Sequence, residues 1–342
     1  VIDVAIDSRR TARMSLGMRA CVDALVRHLP AAAPDLRFAF VGAGENFSFD
    51  EQARLPVAIA RTRARLAYYP TPYAPAVRGV PYVIQVHDLI HLRFPELSSP
   101  AVKAFYATLG RSIVRGAARI VVADAGIGED VQRRFGVAAD RLRVIPLGYD
   151  PALLADAAAE RRDRPYLLYA GNRRRHKNLD ALIDVWRRLP GDVDVDLVVA
   201  GPSSGVDLAD EVAGSRRLIV TGEVDAGRLR RLYRGAVAYV HPALAEGFGI
   251  PLLEALAVGT PVIASEESVP AIVRPYAWTF AADDREALSE RISAAVRSPA
   301  GLKRLASEGA LSVRAYTWQR FAETVASVFR ELIDRPGIRR AP

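Results

Sequence analysis

One cysteine, Cys21, stands among 342 residues. A lone thiol closes no internal disulfide and supplies no multi-cysteine metal site. It lies in an apolar helical stretch, which predicts a buried structural thiol in a reducing, cytoplasmic setting. No apolar run approaches the ~20 residues that span a bilayer. Val1 opens on a strand pattern rather than a secretory-type stretch. No GxSxG or Cys–His pattern points to covalent hydrolysis. No helix-turn-helix, finger or RNA-binding signature is present, and the arginines are dispersed rather than clustered with aromatics. Nucleic acid is therefore not an expected partner.

What is present is ordinary in proportion and basic in sign. Hydrophobic residues make up 50% and charged residues 25%, and the formal net charge is +8. That sign suits anionic partners such as a nucleotide-sugar, or the acidic inner membrane surface reached peripherally. A chain of 342 residues exceeds what one core usually holds, so two domains are expected.

Apolar strand-length runs alternate with helical patterns, which predicts α/β architecture with parallel, doubly wound sheets. The first half carries strands over 2–6, 37–41, 66–69, 82–86, 119–123 and 143–145, with helices over 16–29, 100–115 and 128–135. The polar stretch 157–165 reads as a linker. Strands then follow over 166–170, 195–200, 218–220, 237–240, 261–264 and 278–280. Helices fall over 179–189, 208–213, 226–234, 285–297 and 300–315. A last helix over 318–333 has Phe321, Val325, Val328, Phe329 and Leu332 at helical spacing. The expected division is 1–157, 158–315, and a terminal segment 316–342 that crosses back to the first domain, where its apolar stripe finds a face.

The most informative stretch is AEGFGIPLLEAL, Ala245–Leu256. It follows a buried-strand pattern and opens a helix with Pro251 in its first turn. Gly247 and Gly249 allow a sharp turn and close ligand approach. The amides around Phe248, Gly249 and Ile250 would point from the helix start toward an oxygen-rich ligand. Glu246 precedes the helix and Glu254 lies one turn inside it, so the two carboxylates reach different hydroxyls.

A second stretch, GNRRRHKN, Gly171–Asn178, joins a strand end to a helix start. Asn178 is placed to cap that helix. Arg173, Arg174, Arg175 and Lys177 crowd a helix N-terminus, where the macrodipole disfavours cations unless an anion sits among them. A diphosphate suits such a cluster; a solvated basic loop is the plainer alternative. VIQVHDL, Val83–Leu89, sets His87 and Asp88 at a strand end, where α/β sites form. They serve either as sugar contacts or as a packed histidine and a capping aspartate. TGEV, Thr221–Val224, offers backbone to a base edge at Gly222 and Val224, or is a plain turn. DVDVD, Asp192–Asp196, has DxD spacing but runs into a strand, and reads as a polar strand entry; no metal is expected.

Together these motifs resemble the retaining glycosyltransferases of the two-Rossmann GT-B type, glycosyl transferases group 1, and among them the bacterial mannosyltransferase-like members. The resemblance runs from the Gly17 loop to the closing helix. Its most specific part is Glu246 and Glu254 with seven residues between, with GNRRRHKN, TGEV, VHDL and AVGTPVIAS (Ala257–Ser265) in family order. It implies two Rossmann-like domains facing across a cleft that holds the site. It implies that Lys177, with an arginine such as Arg173, binds the donor diphosphate and that Glu254 holds the ribose. Glu246 and the amides of Phe248, Gly249 and Ile250 would hold the donor sugar. His87 would meet that sugar from the opposite domain on closure, and Gly17 would let the N-terminal loop approach the phosphate. Ala243 replaces a common serine, and Pro270–Arg274 lacks the usual glutamate and glycine. These departures leave the reaction class intact.

The implied reaction is metal-independent transfer of a hexose, with retention, from a nucleotide-sugar to a glycan or lipid-linked oligosaccharide in surface polysaccharide or glycolipid synthesis. GDP-mannose is the favoured donor and a UDP-sugar the alternative, with no separate cofactor. A nucleotide-sugar epimerase or phosphorylase on the same fold, or a basic binding protein, would share the scaffold. The acceptor is expected at the first domain, near Phe47, Tyr69 and Tyr73.

Overall fold

The computed structural model describes residues 2–11, 14–42, 45, 48–155, 158–201, 211–213 and 215–335. It divides into two compact units, Val1–Gly148 with Tyr316–Pro342, and Tyr149–Ala315. The boundary falls at Gly148/Tyr149 rather than at 157/158. The 3-10 turn Pro151–Leu154, which precedes the polar stretch, packs on helices of the second unit.

The first unit has strands β1 (Val4–Asp7), β2 (Phe38–Val41), β3 (Leu66–Tyr69), β4 (Tyr82–Val86), β5 (Arg119–Val122) and β6 (Leu142–Val144). They form one parallel sheet in the order β2-β1-β3-β4-β5-β6. Four of these strands, β1, β3, β4 and β5, are buried at every position, as a sheet covered on both faces requires. The helices are α1 (Leu16–Ala32), α2 (Phe49–Thr62), α3 (Ile90–Arg93), α4 (Pro100–Ala107), α5 (Leu109–Gly116) and α6 (Ala125–Phe135).

The short α3 has no counterpart in the pattern reading, and two larger departures have a physical reason. α2 has no counterpart in it, because Pro56 interrupts the helical signal and only Leu55 and Ile59 bury apolar side chains. Its start is fixed by the Ser48 hydroxyl, which accepts from the Glu51 N–H at 3.0 Å. The helix expected over 100–115 breaks at Thr108 (φ −118°, ψ −93°). There the hydroxyl donates to the Ala104 carbonyl at 2.7 Å, a back-bond that bends helices.

The second unit has β7 (Tyr166–Ala170), β8 (Asp196–Ala200), β9 (Glu211–Ala213), β10 (Arg216–Gly222), β11 (Ala238–His241), β12 (Val262–Ser265) and β13 (Ala277–Phe280). Their order is β13-β12-β11-β7-β8-β10-β9. All pairs are parallel except β9 with β10. The helices are α7 (Leu179–Arg187), α8 (Ala226–Gly235), α9 (Ile250–Ala257), α10 (Arg285–Arg297) and α11 (Ala300–Ser312). Residues 211–213, expected in a helix over 208–213, are instead an edge strand antiparallel to Arg216–Leu218; the rest of that range lies outside the described residues. A core built on Trp186, Leu182, Leu197, Val240 and Ile292 lies in this unit.

The last helix, α12 (Trp318–Ile333), belongs to the first unit. It packs on α1, and the Phe329 ring meets Tyr68 edge-on at 5.2 Å. Glu331 accepts from Arg143 at 2.8 Å and also pairs with the buried Arg119. Gly148 lies so close to the Thr317–Trp318 backbone that an added methyl would collide with it. Truncation after Ala315 would uncover the apolar face of α1 and leave a buried guanidinium unpaired. It should lower the melting temperature by more than about 10 °C and open the first unit to limited proteolysis. A truncated chain that melts like the full one would contradict this packing.

Candidate functional site

In the second unit the chain starts at the middle of the sheet. It runs from β7 outward through β8 and β10, then returns to the other side of β7 as β11. Loops leaving β7 and β11 therefore diverge at a topological switch point, where α/β sheets hold ligands. These loops are the two motifs richest in charge and glycine. The Leu244 N–H donates to the His176 carbonyl at 2.8 Å and joins them. Asn178 does not cap α7 through its side chain. It adopts a left-handed conformation (φ 56°), and its amide nitrogen donates to the Pro242 and Ala282 carbonyls at 3.1 and 3.2 Å. The side chain thus ties loops together, which turns it away from the helix end.

Joined this way, the loops bring Lys177 against Glu246. The lysine Nζ donates to the Glu246 Oε2, and both side chains are mostly buried. The same oxygen meets His241 Nε2 at 3.2 Å. Burial alone disfavours the Glu246 carboxylate, but Lys177 and His241 outweigh it and hold the carboxyl well below the usual range. Burial pushes the His241 imidazole below its ordinary value, against the pull of Glu246. Sequence reasoning missed His241 entirely; its one signal was a histidine closing an apolar strand directly before Pro242.

Gly249, in a left-handed conformation (φ +79°), opens α9, with Pro251 in the first turn. Among the described residues the N–H groups of Phe248, Gly249 and Ile250 have no acceptor, as expected at a helix start. Phe248 is itself buried. Glu254 lies inside α9 with the Tyr233 hydroxyl at 3.5 Å. Burial pushes its carboxyl up to about 7, with Asp150 adding to the effect and Tyr233 opposing it. Two carboxylates eight positions apart are thus pushed in opposite directions by their surroundings.

The remaining residues named from sequence fall elsewhere. Arg173 is taken by Asp180 of α7 at 2.7 Å, so it does not join the Lys177–Glu246 cluster. Gly222 (φ +66°) ends β10 and accepts from the Gly201 N–H at 2.9 Å. Val224 follows it, half-buried, and no hydrogen bond joins either residue to Lys177 or Glu246 among the described residues. The DVDVD carboxylates are engaged by arginines: Asp192 by Arg297, Asp194 by Arg164, and the buried Asp196 by Arg217. Among the described residues no three His, Cys, Asp or Glu side chains form a metal-holding group.

In the first unit, His87 ends the loop side of β4 and is buried. Its Nε2 lies 2.8 Å from the Pro70 carbonyl, which only accepts, so Nε2 carries the proton. Asp88 accepts from the Ile90 N–H at 3.0 Å. Gly17 lies in the first turn of α1, whose start Ser15 caps. Tyr69 and Tyr73 are buried in the core rather than presented to an acceptor, and Phe47 lies outside the described residues. Sequence reading also missed a buried charged group at the end of β1. Arg9 donates to both Asp7 oxygens and to the Tyr73 carbonyl, with Glu51 3.7 Å away.

Two parallel α/β units of this topology define a GT-B fold, and solved structures agree. Sucrose-phosphate synthase from Thermosynechococcus elongatus superposes with a TM-score of 0.74 at 18% identity, covering 97% of this chain and 99% of that one. Anabaena HepE, solved with UDP-glucose, gives a TM-score of 0.72 at 14% identity, with 97% and 100% covered. Residues 154–312 match Glycosyl transferases group 1 and residues 18–153 match Glycosyltransferase Family 4. Together these two glycosyltransferase models span residues 18–312. The MMP alpha-(1->4)-mannosyltransferase of Mycolicibacterium hassiacum is 26% identical over 76% of this chain and 67% of its own length. A D-inositol 3-phosphate glycosyltransferase of Xylanimonas cellulosilytica is 31% identical, over 45% of this chain and 42% of that protein. The chain thus matches less than half the length of that relative. Among the described residues no helix is long and apolar enough to cross a membrane.

Proposed function

We propose that this glycosyltransferase moves mannose from GDP-mannose, with retention and without a metal, to a glycan or lipid-linked acceptor of surface polysaccharide or glycolipid synthesis. The observation that carries the donor site is the meeting of Lys177 and Glu246 at the switch point of the second unit. Lys177 supplies the compact charge for the diphosphate, and the unpaired amides at the start of α9 add fixed dipoles. Glu254 takes the ribose hydroxyls, and Glu246 the sugar. Mannosyltransferase-named relatives support the choice of sugar. A UDP-sugar is the alternative donor, favoured by the UDP-glucose complex of the HepE neighbour.

A donor panel tests this directly. GDP-mannose, UDP-glucose and UDP-galactose are incubated with the protein, and transfer or hydrolysis is followed with and without EDTA. GDP-mannose should be consumed fastest, and EDTA should leave most of the turnover. A strict magnesium or manganese requirement, or inertness toward every donor, would contradict the proposal.

Glu254 gives a second expectation. Ribose hydroxyls donate to a carboxylate and favour its ionised form, whereas burial holds the Glu254 carboxyl at about 7. Nucleoside diphosphate binding at pH 7 should therefore release up to about half a proton per site. Calorimetry in buffers of different ionisation enthalpy reads this release, which Glu254→Gln should abolish. Uptake of a proton, or no buffer dependence in the unmodified protein, would place the ribose elsewhere.

A further inference from the structure

We propose that His241 is a positioning residue that keeps the Glu246 carboxylate ionised and oriented when a donor diphosphate draws Lys177 away. The inference rests on the donor-site reading above, and adds to it a residue that contacts neither phosphate nor sugar.

The geometry begins with a shared oxygen. Glu246 Oε2 accepts from Lys177 Nζ and stands 3.2 Å from His241 Nε2, while Oε1 accepts from the Gly247 N–H at 3.3 Å. A carboxylate only accepts, so His241 Nε2 must carry a hydrogen. In a neutral ring Nδ1 is then bare. Tyr239, two positions earlier on the same face of β11, lies with its hydroxyl 3.0 Å from Nδ1 and donates to it. Tyr239 also reaches the Ala170 carbonyl at 3.3 Å. If the ring becomes charged, Nδ1–H donates to the Tyr239 oxygen, and the tyrosine hydrogen turns to Ala170. Both states of the ring are thus satisfied, and in both Nε2–H faces Glu246.

This arrangement matters only if Lys177 moves. An ammonium group that turns toward a diphosphate shares its charge between two anions, and its hold on Glu246 weakens. When it shifts, Glu246 loses its strongest favourable neighbour while its burial remains. Burial raises a carboxyl toward the protonated form. Among the described residues, the groups that then face the pair are Tyr169 of β7 and Tyr239 of β11, and Glu254 of α9 acts on Tyr239. None is a cation. Among the described residues His241 is left as the side-chain N–H that holds the charge on Glu246 and fixes its direction.

The test compares the unmodified protein with His241→Phe, which fills similar space without a donor, and His241→Gln, which restores an amide N–H near the Nε2 position. GDP and UDP binding are measured by calorimetry, and turnover of the accepted donor is followed from about pH 5 to about pH 9. For His241→Phe, GDP affinity should stay within about twofold, kcat should fall about tenfold, and the acid limb of the kcat profile should move up by about one pH unit. His241→Gln should recover most of kcat and return the limb toward its original position. Carbon-13 signals of the Glu246 carboxyl under saturating GDP give a readout that needs no turnover. The carboxyl should stay ionised near pH 6 in the unmodified protein and be protonated in His241→Phe. If His241→Phe does not fold, the glutamine variant and the unmodified protein's own carboxyl titration decide. An unshifted acid limb with an ionised carboxyl in a folded His241→Phe would overturn the proposal. So would a glutamine variant no better than phenylalanine, or a Glu246 that protonates near pH 6 in the unmodified protein with GDP bound. Failure of that unmodified protein to bind GDP or UDP would instead remove the donor site, and this inference with it.

Discussion

Glu246→Gln should lower kcat by about 10²- to 10³-fold while leaving nucleoside diphosphate affinity within about threefold of the unmodified protein. The substitution keeps shape but removes the charge and turns one accepting oxygen into a donor. An interaction that strengthens as positive charge develops on the sugar is lost in the transition state more than in the ground state. The nucleotide loses nothing, because Glu246 → Gln also frees Lys177 from its partner. Turnover with the full donor and a nucleoside diphosphate isotherm measure the two halves separately. Equal losses in both would mean that Glu246 binds the nucleotide rather than the sugar.

Lys177→Ala should do the reverse at the first step, weakening nucleoside diphosphate binding by roughly ten- to a hundredfold. Its removal also strips Glu246 of its strongest partner, so the carboxyl moves up toward the ordinary range and His241 alone restrains it. The two substitutions share one ion pair, so their effects should not add. The double variant should lose less nucleotide affinity than the single changes sum to, because Lys177→Ala leaves Glu246 as an unpaired anion that repels the diphosphate and Glu246→Gln removes that repulsion. Calorimetry on the four proteins closes this cycle. An unchanged affinity in Lys177→Ala would remove the diphosphate from this loop.

The ion pair shows where sequence reading stops. The strands over 66–69, 82–86 and 166–170 and the helices over 285–297 and 318–333 coincide end to end with observed elements, because unbroken apolar runs or regular stripes mark them. α2 lacks such a stripe, and the break at Thr108 depends on one hydroxyl bond rather than on periodicity. β9 owes its conformation to its neighbour β10, a relation that no local pattern carries. In the site, glycine and charge made both loops legible as motifs. Their charges, however, read as waiting for a ligand, whereas Lys177 and Glu246 satisfy each other across 69 residues of chain. Arg173 is likewise taken by Asp180 and Asn178 by two carbonyls. Such partners are set by which strands lie side by side, and only the order of β11 beside β7 brings the loops together.

The most direct measurement is a crystal structure of the protein with GDP, or with UDP if that binds more tightly. The account predicts the diphosphate at the start of α9 with Lys177 Nζ turned from Glu246 onto a phosphate oxygen. It places the ribose hydroxyls on Glu254, and His241 still on Glu246. A nucleotide bound elsewhere, or bound here with the Lys177–Glu246 pair intact and Glu254 untouched, would contradict it.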